Sequence, residues 1–248
     1  MKLNRRLSVI VPVYRGGAYI RTNLIQFKKS LNRLVNEVID DFEIIAVIDG
    51  YSDNSLEEAK KVKGIKIIGY PDNRGKGAAL KTGFENSSGN IVTFIDGDGD
   101  FHPDQIRNFF PYLAAADMVV GSKRHPFSRI EYPFIRRFLS RGFQILSKII
   151  LGISLRDTQS GLKLFKRDVL EVILPLVLVK RWAFDLELCF LAQKHGFRTV
   201  EAPISIDFQH TSTVTMSVPY SMVLDMLAVR YRYSILKYYQ KEYHRTHF

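Results

Sequence analysis

Apolar runs alternate with helical patterns along the first 120 residues of the chain. Five short runs rich in Val, Ile and Phe predict strands at residues 7–14, 42–49, 64–70, 90–96 and 117–122. The stretches between them predict helices at residues 17–37, 53–62, 75–86 and 103–115. Strands that are apolar throughout and separated by helices are typical of βαβ units, with a mostly parallel sheet covered on both faces. The expected fold class is therefore α/β.

The second half of the chain has a less regular pattern. Residues 134–151 predict an amphipathic helix, because apolar positions recur on one side and Arg137, Arg141 and Lys148 line another. The remaining patterns predict strands at 162–167 and 198–206, helices at 167–174, 184–195 and 219–240, and a polar loop at 207–216. We divide the chain into a main domain at residues 1–210 and a C-terminal part at residues 211–248. The C-terminal part contains a loop and a basic, tyrosine-rich amphipathic helix.

The net charge of the 248-residue chain is +11, and it is unevenly placed. Residues 121–156 contribute +7 and residues 228–248 contribute +4, which accounts for the whole excess. A localised basic surface indicates an anionic partner, such as nucleic acid, anionic lipid or a phosphorylated substrate. The basic residues lie in helical segments beside apolar stripes, without a recognised nucleic-acid motif, and this argues against nucleic acid.

Three features bear on the compartment. Cys189 is the single cysteine, so no internal disulfide is possible, which fits a reducing, cytosolic-side location. The N-terminal "MKLNRRLSVIVPVY" predicts a first strand rather than a signal peptide. No stretch of about 20 residues is both apolar and uncharged, so no membrane-spanning helix is predicted.

The stretch "VTFIDGDGDFHP", residues 92–103, carries aspartates spaced two apart at a strand end: Asp96, Asp98 and Asp100. Asp49 ends another predicted strand, and parallel strands bring such ends to one rim of the sheet. Oxygen ligands suit Mg²⁺ or Mn²⁺, and a cation held by one or two carboxylates fills its other positions with substrate phosphates. We predict that Asp96 and Asp98 are metal ligands, joined by Asp100 directly or through water. The alternative is a polar turn whose aspartates cap the next helix.

A second motif, "NRGKGAALKTGF" at residues 73–84, opens a predicted helix. Its glycines and Lys76 are typical of a site that offers backbone N–H groups and a cation to an anion. It is not a Walker loop, because no Ser or Thr follows the lysine. The turn chemistry of a helix start explains the glycines equally well.

Seven motifs resemble, in their order along the chain, those of the inverting glycosyltransferases of family 2: "SVIVPVY", "VIDGYSDNS", "NRGKGAALKTG", "IDGDGDFHP", "GSKR", "RDTQSGLKLFKR" and "RWAFDLELCFLAQKHG". The resemblance covers roughly residues 7–206. The last two motifs are similar to the polyprenyl-phosphate branch, which includes the dolichyl-phosphate glucosyltransferases and the dolichol-phosphate mannosyltransferases. The resemblance implies a GT-A fold, in which a Rossmann-like sheet binds a nucleotide sugar.

The resemblance also implies residue roles on the donor side. Pro12 and Tyr14 would line the nucleotide pocket, and Asp49 would contact the base or ribose. Asp96 and Asp98 would form the DxD motif, which holds Mg²⁺ or Mn²⁺ on the diphosphate.

On the acceptor side, Arg136 and Ser140 match positions that bind the acceptor phosphate in relatives.

Lys123 stands where relatives carry an arginine, and we assign it to nucleotide-sugar binding. Asp157 matches the acid of a motif near the sugar, and we expect it to act by positioning or electrostatics first and as a base second.

The chain also departs from the family pattern. Ile48–Asp49 replaces a pair of aspartates, Tyr51 replaces a serine, and Arg15–Gly16 replaces Asn-Glu after the tyrosine. The lost glutamate removes an expected nucleotide contact and leaves the donor open between UDP-glucose, which we favour, and GDP-mannose.

The expected reaction moves a hexose from a nucleotide sugar to a polyprenyl or dolichyl phosphate by a single displacement, with inversion. The amphipathic helix at 134–151 and the C-terminal tyrosines suit peripheral binding to an anionic membrane surface, at its cytoplasmic face. Two alternatives stay open: a family 2 transferase that acts on a polysaccharide, and a degenerate nucleotide-sugar-binding protein. The intact DxD motif argues against degeneracy.

Overall fold

The computed structural model describes residues 5–130, 134–181, 183–206 and 217–247, apart from the side chains of 134–140, 217–219 and 244–247. The strands are β1 (Arg6–Val13), β2 (Asp41–Asp49), β3 (Lys66–Tyr70), β4 (Ile91–Phe94), β5 (Met118–Ser122), β6 (Arg129–Ile130), β7 (Lys163–Lys166), β8 (Thr199–Pro203) and β9 (Ser205–Ile206). The helices are α1 (Ile20–Leu34), α2 (Ser55–Lys60), α3 (Lys76–Glu85), a 3₁₀ helix (Pro103–Phe109), α4 (Phe110–Leu113), α5 (Phe134–Leu151), α6 (Arg167–Ile173), α7 (Phe184–Lys194), α8 (Ser217–Ser234) and α9 (Tyr238–His247).

The main sheet has seven strands in the order β3-β2-β1-β4-β7-β5-β8. Neighbouring strands are parallel except at β7, which runs antiparallel to both β4 and β5. The α/β class and the mostly parallel sheet predicted from the apolar runs are therefore confirmed.

Both faces of the sheet are buried, which explains why its strands are apolar throughout. Along β1, Ile10 packs into one hydrophobic cluster while Val9 and Val11 pack into another on the opposite face. The first cluster includes residues of α3, α6 and α7, and the second includes residues of α1 and α4.

The topology places the polar residues that follow the strands. Since β1, β2 and β4 are parallel neighbours, their carboxyl ends meet at one edge of the sheet. Asp49 is the last residue of β2, and Asp96 follows the end of β4. The two acids therefore lie on the same rim, as the sequence pattern predicts.

Three elements differ from the sequence prediction. The expected helix over 103–115 begins as a 3₁₀ helix and continues as the single turn of α4. The expected helix over 219–240 is two helices, α8 and α9, separated near Lys237, whose φ is +50°. The expected strand over 198–206 is divided into β8 in the main sheet and β9, which pairs with β6. A two-residue strand such as β6 is too short to show a periodic pattern.

The C-terminal helices pack onto the same core as the sheet. Met226 and Val229 of α8 and Tyr239 of α9 belong to the cluster that contains Phe165 and Phe184. The predicted polar loop at 207–216, with the division at residue 210, lies outside the described residues, and the division remains a prediction. Among the described helices, none combines the length and the apolar character needed to cross a membrane.

Candidate active site

Asp49 fixes the loop that leads from β3 into α3. Its carboxylate is buried, and one oxygen accepts the N–H of Arg74 at 2.7 Å. The other oxygen accepts the N–H of Gly75 at 2.9 Å and an N–H of the Asn73 side chain at 3.1 Å. Asp49 thus holds this loop at the end of β2, and its predicted contact with a base or ribose remains a prediction.

The two glycines of the "RGKG" turn allow a close approach between α3 and the segment that precedes α7. A Cβ on Gly75, whose φ is +93°, would lie 2.4 Å from the carbonyl oxygen of Lys180. A Cβ on Gly77 would lie 2.4 Å from the ring of Phe184, and the Gly77 N–H donates to the Lys180 carbonyl at 2.9 Å. The backbone N–H groups of both glycines are therefore bonded within the protein, and packing explains the glycines better than an anion cradle does.

The side chain of Lys76 joins two carboxylates at this edge of the sheet. Its Nζ lies 2.7 Å from Asp96 Oδ1 and 3.5 Å from Asp185 Oδ2. Burial alone would lower the pKa of Lys76, but Asp185 and Asp96 outweigh it and raise the pKa well above its usual range. Lys76 is therefore a fixed cation beside the DxD motif, and its role in nucleotide-sugar binding remains a prediction.

Asp185 is held by a second lysine. Its Oδ1 lies 2.6 Å from Nζ of Lys163, which is buried in β7. Burial would raise the pKa of Asp185, but Lys163 and Lys76 outweigh it and lower the pKa. The sequence pattern gives Lys163 no role. The structure shows that Asp185 orients Lys76.

The three aspartates of the DxD turn lie close enough to affect one another. Burial and the neighbouring charges of Asp96 and Asp100 raise the pKa of Asp98 to about 7. One Asp98 oxygen accepts the Asp100 N–H at 3.1 Å, so a polar turn is present, but the side chain that caps the next helix is that of His102, which accepts the Asp104 N–H. Within the described residues, no three His, Cys, Asp or Glu side chains form a ready-made metal group. The donor set nevertheless fits a hard divalent cation, since carboxylate oxygens that repel one another gain most from a cation shared with substrate phosphates.

Gly161 allows the loop that carries Asp157 to approach the DxD turn. A Cβ at this position would lie 2.0 Å from Asp96 Oδ2 and 3.0 Å from the ring of Phe101. The sequence pattern gives Gly161 no role, although the residue lies in the motif "RDTQSGLKLFKR". The contact joins the two acidic motifs into one site.

Asp157 is buried and both of its carboxylate oxygens accept hydrogen bonds. Oδ2 accepts the backbone N–H of Lys123 at 3.0 Å and lies 3.6 Å from the Lys123 Nζ. Oδ1 accepts the N–H of Gln159 at 3.0 Å. Glu201 of β8 accepts the N–H groups of Arg156 and Asp157 at 3.1 and 3.0 Å, which fixes this loop to the sheet. The structure thus brings Asp157 and Lys123 together.

A small cavity of about 20 Å³ lies beside Asp157 and is closed on one side by α5. It is lined by Arg124, Phe143, Gln144, Ser147, Leu155, Arg156, Asp157, Thr158 and Gln159. The Gln159 amide nitrogen is buried and has no hydrogen-bond partner among the described residues. A buried donor of this kind needs an acceptor, because an unsatisfied polar group is destabilising. The sequence pattern carries no signal that singles out Gln159.

The remaining predicted residues lie near the rim of the sheet or have side chains outside the described part of the structure. Pro12 is the second-last residue of β1, and the half-exposed Tyr14 ring lies just beyond the strand, with the Arg15 guanidinium 5.2 Å from its centroid. Arg136 and Ser140 lie in the first part of α5, residues 134–140, whose side chains are outside the described part of the structure, so their acceptor-phosphate role stays a prediction.

The comparisons with known proteins identify the class. The family model for Glycosyl transferase family 2 matches residues 8–174, more than half of the chain. The protein therefore belongs to glycosyltransferase family 2, and the resemblance inferred from the motifs is confirmed.

Relatives in this family agree with the polyprenyl-phosphate branch. The chain is 30% identical over 250 residues to the dolichyl-phosphate beta-glucosyltransferase of Dictyostelium discoideum, covering 93% of this chain and 75% of that protein. It is 28% identical over 249 residues to the Homo sapiens protein of the same name, covering 92% and 76%.

Solved structures confirm the GT-A fold. Glucosyl-3-phosphoglycerate synthase from Mycobacterium tuberculosis, in complex with Mn²⁺, UDP and phosphoglyceric acid, superposes with a TM-score of 0.69. The match covers 93% of this chain and 78% of that chain at 19% identity, so it bears on the fold alone.

The close contact at Gly161 predicts that adding a methyl group there lowers the transfer activity more than it lowers the stability of the fold. In the substitution Gly161→Ala, the added Cβ meets the Asp96 side chain and lies 3.0 Å from the ring of Phe101, so the Asp96 carboxylate must shift. We expect kcat/KM for glycosyl transfer to fall by between about tenfold and 100-fold, since a displaced group of about 1 Å has effects of this size. Thermal melting measured on the same sample should change little.

The control is Gly142→Ala in α5, where, among the described residues, no atom beyond the nearby backbone of the helix lies within 4 Å of the added Cβ. Transfer by Gly161→Ala at the rate of this control would show that Asp96 does not depend on the close approach of Gly161.

Proposed function

We propose that the protein transfers glucose from UDP-glucose to a polyprenyl or dolichyl phosphate, with Mg²⁺ or Mn²⁺, at the cytoplasmic face of a membrane. The observation that carries the proposal is the Lys76–Asp96 ion pair at the carboxyl edge of the sheet, beside the DxD turn. A fixed cation next to paired carboxylates suits a metal-bound diphosphate. The names of the relatives support the acceptor and the sugar.

The donor half of the site stabilises the leaving group. A divalent cation on Asp96 and Asp98 supplies Lewis-acid stabilisation of the diphosphate when it is bound. Lys76 remains protonated near neutral pH, because Asp185 and Asp96 raise its pKa. Its charge is already oriented before the glycosidic bond breaks, so little reorganisation is needed as negative charge grows on the diphosphate oxygens.

The acceptor half needs less help with proton transfer. A phosphate monoester has its second pKa near 6, so it is largely ionised at neutral pH. Both oxygens of Asp157 accept hydrogen bonds, from Lys123 and from Gln159. This supports a positioning role for Asp157, in which it holds Lys123 toward the reacting groups, above a role as general base. Arg136 and Ser140 are the proposed ligands of the acceptor phosphate.

The surface formed by α5 and α8 supports contact with a membrane. The two helices pack against each other and carry exposed apolar side chains: Ile145, Leu146, Ile149, Tyr220, Leu224 and Leu227. The basic segment at 121–156 contains α5, and the basic segment at 228–248 contains the end of α8 and all of α9. Apolar side chains flanked by Lys and Arg favour binding to an anionic bilayer surface.

The test of the proposed reaction compares wild type with Asp98→Asn. We expect glycolipid from UDP-glucose and a short polyprenyl phosphate only when Mg²⁺ or Mn²⁺ is present. In the variant, we expect transfer to fall about 100-fold or more, because loss of one charge-stabilising group commonly has this effect. Radiolabelled sugar in the organic phase measures the product.

The matched control is Asp41→Asn, which removes an exposed aspartate at the start of β2, away from the rim. A parallel reaction with GDP-mannose tests the donor. Transfer from GDP-mannose alone would overturn the UDP-glucose assignment. Transfer that is equal in the Asp98 variant and in the control would overturn the metal-bound site.

Membrane contact is tested by Ile149→Glu, since Ile149 is 74% exposed on α5. We expect this substitution to weaken binding to vesicles containing phosphatidylserine by about tenfold, which corresponds to the burial energy of one large apolar side chain. Vesicle sedimentation measures the bound fraction.

Ile25→Glu is the matched control, because Ile25 is 50% exposed on α1, outside the α5–α8 surface. Equal losses in the two variants would show that charge alone governs binding and that this surface has no special role.

A further inference from the structure

Glu187 lies on α7 and accepts hydrogen bonds from three separate segments. It is fully buried. Its Oε2 accepts the backbone N–H groups of Leu178 and Val179, at 2.8 and 2.6 Å. Its Oε1 accepts the hydroxyl of Tyr239 in α9 and lies 3.4 Å from Arg232 Nη1 in α8. One carboxylate therefore connects the C-terminal helices to the segment at 177–180.

The segment at 177–180 is in turn bonded to α3. The Val177 carbonyl accepts from the Lys81 Nζ at 2.5 Å, and the Lys180 carbonyl accepts the Gly77 N–H at 2.9 Å. A Cβ on Gly75 would collide with the same Lys180 carbonyl, so the approach is close. The position of this segment therefore fixes the first turns of α3.

The first residue of α3 is Lys76, the cation of the proposed donor site. Asp185, two residues before Glu187, binds Lys76 and Lys163. Helix α7 thus holds Lys76 in two ways: directly through Asp185, and indirectly through Glu187 and the segment at 177–180.

Packing alone does not account for a carboxylate at position 187. An apolar side chain of similar volume is often as stabilising as a buried ion pair, or more so, because burial of a charge is unfavourable. A carboxylate differs in that it can orient two backbone N–H groups together with a hydroxyl and a guanidinium. Its specific effect is therefore on the position of the segment that it binds.

We propose that Glu187 is a positioning residue for the donor site. It holds the segment at 177–180 against α3. The position in which Lys76 binds the donor therefore depends on the packing of α8 and α9 against α7. The inference rests on the proposed function for the identity of the donor, but the coupling itself is a property of the fold.

The experiment compares wild type with Glu187→Gln, Tyr239→Phe and Cys189→Ala. Glutamine keeps the size of the side chain but removes its charge, and Tyr239→Phe removes one donor while keeping the ring. Cys189 is buried on the same helix, so its variant controls for general destabilisation. Amide hydrogen exchange of Gly77, Leu178 and Val179 is measured by NMR, with steady-state KM for UDP-glucose and for polyprenyl phosphate.

We expect exchange at Gly77 to accelerate about tenfold in Glu187→Gln, with a similar rise in KM for UDP-glucose, as for loss of a charged hydrogen bond. KM for the lipid phosphate should stay unchanged. Tyr239→Phe should give a smaller change of the same kind, and Cys189→Ala should give neither. If Glu187→Gln does not fold, the Tyr239 variant carries the test.

Two results would overturn the inference. In one, exchange accelerates at Leu178 and Val179 while Gly77 and the donor KM stay at wild-type values. In the other, Cys189→Ala changes Gly77 exchange and the donor KM as much as the Glu187 variant does. If the wild type transfers nothing from UDP-glucose, the proposed function fails, and exchange at Gly77 alone still decides the coupling.

Discussion

The ion pairs of Lys76 are the interactions on which the rest of the site depends. One ammonium group joins the start of α3, the turn after β4 and the start of α7, through Asp96 and Asp185. These three segments come from different parts of the chain, and the carboxyl edge of a parallel sheet is the place where they meet. Because Asp185 also binds the buried Lys163, the cation is tied to strand β7 as well.

Glycines make this arrangement sterically possible. Gly75 and Gly77 let Lys180 and Phe184 pack against the start of α3, and Gly161 lets the Asp157 loop reach Asp96. In each case a backbone oxygen, a carboxylate oxygen or an aromatic ring occupies the space that a side chain on the glycine would fill. The family resemblance identifies the motifs that contain these glycines, whereas the structure shows what each one touches.

The sequence predicts the sheet well because each buried strand shows its apolar run locally. It also predicts the DxD turn, since three aspartates spaced two apart form a local pattern. It does not predict Asp185 as a partner of Lys76, because the contact joins residues 76 and 185, far apart along the chain. Lys163 and Gln159 are missed for the same reason, since their roles arise from three-dimensional neighbours. The break between α8 and α9 depends on one residue, Lys237, with positive φ, which propensity does not reveal.

We propose that Lys76 and the DxD turn together bind a metal-bound diphosphate. Calorimetric titration of UDP in the presence and absence of Mn²⁺, for wild type and Lys76→Met, tests it most directly, with exposed Lys29→Met as the control. We expect metal-dependent binding that weakens by between about tenfold and 100-fold in the Lys76 variant, as for loss of a charged hydrogen bond. Equal affinity in the two lysine variants, or binding that ignores Mn²⁺, would contradict it.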